Sequence, residues 1–253
     1  MLITADSLVF SGGAREPLYS VEHDGLEGWF DGAPPRPDTQ DKPNAHGAFF
    51  SPNWRGGRSF SWWGNIHTDS PAEQQKARVN LAGMCSGTGL YTVSVQLDGV
   101  TTSVEAALFK APESHVVTYG NLATYRVEMF TRDAFRYGEV REFSGTQVVP
   151  FHRGTTDAIP GITVTGTGGG FPNGYTLTYR GRRVVVAAAL AGGEAHTVDM
   201  RTGWVLRANG TMIPRGTSVA ELFTVPRGAA TDVLSLTGRG SGQMLTRLRD
   251  TYA

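Results

Sequence analysis

The sequence predicts a mainly β protein of two β-sandwich-type domains, the first with one α-helix packed on a sheet. Three observations carry this. Glycine fills 33 of 253 positions and proline another 13, a glycine share nearly twice the usual ~7% that suits a chain of many tight turns. Apolar residues recur mostly at a spacing of two, the mark of half-buried strands. A single segment, from about residue 70 to 85, combines helical spacing with a full set of start signals.

In chain order, Leu8-Val-Phe10 and Leu18-Tyr-Ser-Val21 read as short strands joined through Gly12-Gly13. Residues 31–44 hold four prolines and almost nothing apolar. They read as an extended loop or arm, either a surface loop or a segment that orders against a neighbouring subunit. In the strand Arg58 to Ile66, Phe60, Trp62 and Ile66 share one face, and Ser59, Ser61 and Trp63 the other. Ser70 is a good N-cap, Pro71 opens the helix and Glu73 closes a capping box. Ala77, Leu81 and Met84 follow at helical spacing until Ser86-Gly87-Thr88-Gly89 ends the helix. Tyr91, Val93, Val95 and Leu97 then alternate with polar residues up to Asp98-Gly99, a tight-turn pair, and Val104, Ala106 and Leu108 return. Ala123, Tyr125, Val127 and Met129 form a further inward face.

Between Tyr137 and Pro150 the pattern changes to a meander of short strands. These are Ile162-Thr-Val164, Tyr175 to Tyr179, Arg183 to Leu190, Ala195 to Met200, Trp204-Val-Leu206, Met212-Ile213, Ala220 to Val225 and Val233 to Leu236. Asn173-Gly174, Gly192-Gly193 and Asn209-Gly210 are among the turns, and regular short strands of this kind suggest a sandwich or jelly roll. The expected division is 1–140 and 141–253.

Composition narrows the function classes. Lys+Arg and Asp+Glu balance at 23 each, so no basic field exists to hold nucleic acid by its phosphates. The one cysteine, Cys85, excludes an intramolecular disulfide and is expected to be a small buried hydrophobe. The N-terminus lacks the positive and apolar regions of a leader. The longest apolar run, Val184 to Ala191, has eight residues, short of the ~18 a membrane span needs. The expectation is a soluble protein made in a cytoplasm.

No catalytic residue, metal or cofactor is expected. Gly166-Thr-Gly-Gly-Gly170 lacks the Lys-Ser/Thr and the following helix of a phosphate loop. The six histidines stand singly, none at metal-type spacing; His67 with Asp69 and His196 with Asp199 are near pairs without further ligands. No Gly-x-Ser-x-Gly elbow is present. Asn209-Gly-Thr211 matches a glycosylation sequon and reads better as a hairpin turn. Trp204 and Tyr175 are the candidate sugar-stacking aromatics, the other reading being that both pack in the core or against a partner.

The order of these elements resembles the distal tail proteins of bacteriophages with long, non-contractile tails. The resemblance rests on the Arg-led strand Arg58 to Gly64, on the capped helix from Ala72-Glu73 to Leu81, and on the hairpin that follows. It continues through the phrase Asp133-Ala-Phe-Arg-Tyr-Gly138, where alanine stands in place of a frequent proline. The second half is similar to that family's galectin-like sandwich in Ile162-Thr-Val-Thr-Gly166, Val198-Asp-Met200, Asn209-Gly210, Phe223-Thr-Val-Pro-Arg-Gly228 and Leu248-Arg-Asp-Thr-Tyr252. What this implies is a non-enzymatic virion component, assembled in the host cytoplasm. Its homohexamer ring would join the tail tube protein to the tail-associated hub at the tail tip, with no membrane and no specific nucleic-acid binding. Pro34, Pro35, Pro37, Arg58 and Trp63 are the expected contact residues between subunits, Trp63 because it lies opposite Phe60. The alternatives are a lectin-like carbohydrate-binding sandwich and a tail tube protein. The chain is too short to hold the sugar-binding modules of the family's longer members.

Overall fold

The computed structural model describes residues 1–12, 18–36, 40–46, 48–49, 54–228 and 231–253. The chain is mainly β and divides into two compact units, Met1–Tyr137 with Ala253, and Gly138–Tyr252. Among the described residues, no helix is long and apolar enough to cross a membrane.

The first unit holds β1 (Leu2–Ala5), β2 (Leu8–Ser11), β3 (Tyr19–Glu27), β4 (Pro35–Arg36), β5 (Gln40–Asp41), β6 (Ala48–Phe49), β7 (Trp54–Arg55) and β8 (Arg58–His67). Then come α1 (Pro71–Gly83), β9 (Tyr91–Leu97), β10 (Val100–Leu108), β11 (Glu113–Thr118), β12 (Leu122–Thr131) and the start of β13 (Arg136–Gly145). Neighbours run β12-β8-β3-β2-β1-β9-β10, and β10 pairs again with β12, so seven strands close into a barrel. The pairing is antiparallel except at Ser11↔Ser20, where β2 and β3 run parallel. β11 adds to β12 outside the closed ring.

β8 pairs along its whole length with β12, from Arg58↔Thr131 to His67↔Leu122. Its other edge meets β3, and a Cβ at Gly64 would fall 1.8 Å from the Ser20 carbonyl oxygen, so that approach requires glycine. Phe60, Trp62 and Ile66 are buried, as their spacing predicts. Phe10 gathers the aromatic part of this core, its ring 5.2 Å from Tyr19, 5.4 Å from Trp62 and 5.4 Å from Tyr125 between centroids. Each such side chain contributes roughly 1.5–3 kcal/mol by burial.

α1 starts at Ser70, whose Oγ accepts the Glu73 N–H at 3.3 Å. The Glu73 carboxylate reaches back to the Asp69 N–H at 3.2 Å, one residue before the cap. The helix stops at Gly83, with Cys85 at φ +53 turning the chain away before residue 86. Its buried stripe is Gln74, Ala77 and Leu81, and Ala77, Leu81, Met84 and Cys85 join the barrel core. Gln74 is polar and buried because it clamps the β11–β12 turn: its Nε2 donates to Thr118 O at 3.0 Å, and its Oε1 accepts from Gly120 N at 3.1 Å. Tyr19 donates its hydroxyl to Ala77 O at 2.8 Å.

The second unit continues β13 and adds β14 (Gln147–Val148), β15 (Gly161–Gly166), β16 (Tyr175–Tyr179), β17 (Arg182–Val186) and β18 (Ala195–Asp199). β19 (Val205–Arg207), β20 (Thr217–Ala220), β21 (Leu234–Thr237) and β22 (Gly242–Tyr252) complete it. Two five-stranded arrays, β13-β22-β15-β18-β19 and β14-β21-β16-β17-β20, form a sandwich. Ile162, Val164, Leu177, Val184, Val198, Leu234, Met244 and Leu248 are among the residues filling it. The expected strand Ala220 to Val225 is not one strand. β20 ends at Ala220, and Val225 instead exchanges both backbone hydrogen bonds with Ala158.

Gln74→Ala leaves the buried Gly120 N–H without its partner and takes one of two donors from Thr118 O, which keeps the Asn121 N–H at 3.1 Å. It is expected to destabilise the first unit by about 2–4 kcal/mol, against about 1 kcal/mol for Ser70→Ala. Urea unfolding followed by circular dichroism checks the order of the two.

Candidate assembly surface

Between Asp31 and Gly57 the described residues include four short strands outside the barrel. β4 pairs with β7 (Pro35↔Arg55, Arg36↔Trp54) and β5 with β6 (Gln40↔Phe49, Asp41↔Ala48). Within 31–44, expected to be an extended loop or arm, Pro35–Arg36 and Gln40–Asp41 are thus strands of two short antiparallel ladders. Pro34 and Pro35 are exposed, and Pro37 lies outside the described residues. Pro34 accepts the Gly56 N–H at 2.9 Å. Phe30, Phe49 and Trp54 are exposed, Trp54 at 69%.

Arg58 does not serve a surface. It is 4% exposed, and its Nη1 donates to Trp29 O at 3.1 Å and Asp31 O at 3.3 Å. Its guanidinium carbon stands 5.9 Å from the centroid of the Trp29 ring. Burial, with Arg136 nearby, lowers the Arg58 pKa to about 10, which leaves it charged at neutral pH. The physical reason it is no contact residue is direct: the guanidinium is buried, and its Nη1 is spent on the two carbonyls where the arm begins. Trp29, which the sequence reading passed over, is the other half of this root. It is fully buried, donates Nε1–H to Thr102 Oγ1 at 3.1 Å and meets Phe60 edge-on at 4.9 Å. The Gly28-Trp29 pair just before a proline-rich stretch was the available signal.

Trp63 lies on the opposite face of β8 from Phe60 and is half-buried. The Arg126 guanidinium lies 5.2 Å from its ring centroid and also reaches Glu128 at 2.9 Å and Glu27 at 3.6 Å. Lys110 pairs with Glu128 at 3.2 Å and, ahead of Arg126, holds that carboxyl below its ordinary value. Beside them is a cleft of about 320 Å³ lined by Glu27, Asp31, Ser61, Phe109 and Arg126, among others. A second cleft, of about 650 Å³ beside α1, takes in His67, Asp69, Glu73 and Lys76. Among the described residues, no group of three or more His, Cys, Asp or Glu could hold a metal ion.

In the second unit Trp204 is 56% exposed. Its turn is fixed by Asp199, whose carboxylate accepts from Arg201 N at 2.8 Å and Thr202 Oγ1 at 2.7 Å. Tyr175 is buried instead, 5.6 Å from Phe171 and 6.1 Å from His196 between centroids, and burial pushes its hydroxyl far up. The two aromatics therefore do not form one stacking platform. His196 is 3% exposed, and burial holds its imidazole below the ordinary value. Burial alone would raise the Asp250 carboxyl; hydrogen bonds from Arg141 and the Arg153 N–H outweigh it and hold it low.

No protein-family profile matches the chain, and no curated protein matches it in sequence. Among solved structures it is similar to the Dit protein of phage SPP1, described as a paradigm of the hub adsorption apparatus in phages infecting Gram-positive hosts. That likeness has a TM-score of 0.74 at 9% identity and covers 100% of this chain and 99% of that one. It spans both units and establishes the fold. The baseplate of phage P2 in its activated conformation, solved with Ca and with Sr, gives a TM-score of 0.43 in both cases. Identities there are 5% and 6%, over 85% of this chain and 87% of that chain, a likeness too slight to carry weight.

Arg58→Ala is expected to cost the first unit about 3 kcal/mol through lost charged hydrogen bonds and to speed limited proteolysis within residues 31–57. Unchanged melting and cleavage would put Arg58 back on a surface. For the second unit, His196 takes up protons in the unfolded state first, so stability falls as pH drops below about 6.5. The Asp250 contribution is present above about pH 4 and is lost only at lower pH. Melting temperature recorded from pH 7.5 downward is expected to decline, and His196→Phe to flatten the decline above pH 5.

Proposed function

We propose that this chain is a phage distal tail protein, a structural and non-enzymatic part of the virion. Six copies close a ring that joins the tail tube to the tail-tip hub. The observation that carries the reading is the full-length fold likeness to the SPP1 Dit protein, which meets a resemblance already visible in the order of sequence motifs. Two further features support it. The barrel closes its strands on one another and yet sends an arm with exposed aromatic residues outward. The balanced charge of the chain, 23 against 23, places no long-range repulsion between copies.

In this reading the arm, with Pro34 and Pro35, lies at subunit contacts, and Trp63 contributes from the outer face of β8. The first unit builds the ring and the sandwich decorates it. Electron microscopy of the purified chain is expected to show six-fold rings with outer lobes. A purely monomeric mass by light scattering, with no rings at high protein concentration or in the presence of tail tube protein, would overturn the reading.

A further inference from the structure

β11 pairs with β12 on one side only. The register shifts between Val116 and Thr118, so Val117 is the extra residue of a β-bulge. A bulge re-aims side chains, and here alternation breaks down: Val116 is 42% exposed, Val117 59% and the adjoining Tyr119 80%. The patch is nevertheless held firmly. Arg78 donates to Ser114 Oγ at 3.0 Å, and Gln74 clamps Thr118 and Gly120 from the helix side. A rigid apolar corner beside an unpaired strand edge is pre-organised for docking.

The same unit carries a second and different patch. The ladder β4–β7 is two-stranded, so its outer edges have no strand partner among the described residues. Trp54 is exposed there with Arg55 beside it and Arg36 opposite. The two patches match in chemistry: a large aromatic for an apolar corner, a strand edge for a strand edge, and two arginines for Glu113, exposed at the start of β11. Neither is covered by another element among the described residues.

We propose that β11 receives the arm of a second copy, with that copy's Trp54 seated on Val116, Val117 and Tyr119. The contact is heterologous, joining two unlike patches, and a repeated heterologous contact closes a ring when the rotation allows. It thus rests on the ring reading for its geometry but names its own residues.

The test keeps Trp54, Arg36 and the β11 residues Glu113, Val116, Val117 and Tyr119 intact. Full-length Arg55→Cys chain is mixed with full-length His115→Cys chain and treated with a short bis-maleimide. Cys85 is buried, and burial together with Asp6 pushes its thiol up to about 11, so it stays silent, with the unmodified chain as control. The expected product is a dimer holding one copy of each variant, identified by mass spectrometry. Adding Val117→Lys or Trp54→Ala is expected to cut that product about tenfold or more, with melting unchanged because both sites are exposed. Rings without this cross-link overturn the contact and leave the ring reading standing. The cross-link without closed rings supports the contact and overturns the six-fold reading. Predominant His115→Cys self-links mean that β11 pairs with β11, and that also overturns the proposal. Absence of both link and association overturns the contact and the ring together.

Discussion

A β-strand has two edges, and the first unit depends on how β12 uses both. One edge pairs with β8 over ten consecutive positions. The other is shared: β11 takes Leu122 to Arg126, and β10 takes Met129 and Phe130. The second pairing is short, yet it closes the barrel. Side chains alternating along β12 then point Ala123, Tyr125, Val127 and Met129 into one core. Tyr125 also ties the far wall, donating its hydroxyl to Ser20 O at 3.0 Å. The helix follows from this arrangement. The β11–β12 turn carries buried backbone groups that need partners, and Gln74 supplies them at the cost of a polar residue in an otherwise apolar stripe. What looks in sequence like one stray helix in a β protein is the support of that turn.

How far this was legible depended on whether a residue's partner was local. The helix start was readable because a cap needs only Ser70, Pro71 and Glu73, although Glu73 reaches one residue further back than the pattern implies. β8 was readable because Phe60, Trp62 and Ile66 alternate without interruption. β22 was not, beyond its last residues: its inward positions include Thr246 and Asp250, both buried, and a polar residue at every second or third inward position erases the period-2 signal. β11 was lost for a related reason, since the bulge at Val117 breaks the alternation itself. Arg58 misled in the other direction. An arginine opening a strand looks like a surface charge, and only the carbonyls of Trp29 and Asp31, far away along the chain, show that it is interior.

The sandwich carries polar groups inward in a way that favours definition over raw stability. Arg141 joins Asp250 at 3.2 Å, and Asp250 also accepts from the Arg153 N–H at 2.8 Å. His152 is buried, with Nδ1 accepting from Gly154 N at 3.1 Å and Nε2 at 3.2 Å from Val225 O. Apolar replacements of similar volume are often as stable as such groups. What the polar set adds is register. His152 and Asp250 bind backbone groups of the 150s and 220s, which are segments without regular strand pairing. Their placement therefore rests on side chains where the sheets give no ladder.

A closed barrel has no free edges, so any edge still unpaired in such a unit is a departure from its own architecture. Among the described residues, two such departures occur, at β11 and in the arm, and each coincides with exposed large apolar residues. Other exposed apolar residues of this unit, Leu18, Val79, Leu97 and Val100 among them, lie elsewhere. In the contact proposed above, these two edges are the surfaces that meet. The arm's root points the same way: Trp29 and Arg58 are fixed in the core within a few residues of where the arm departs, so its direction of exit is set by the fold. A loop free to move would need no buried tryptophan and no buried arginine to aim it. In the proposed contact, that fixed exit is what presents Trp54 to β11 of the neighbouring copy.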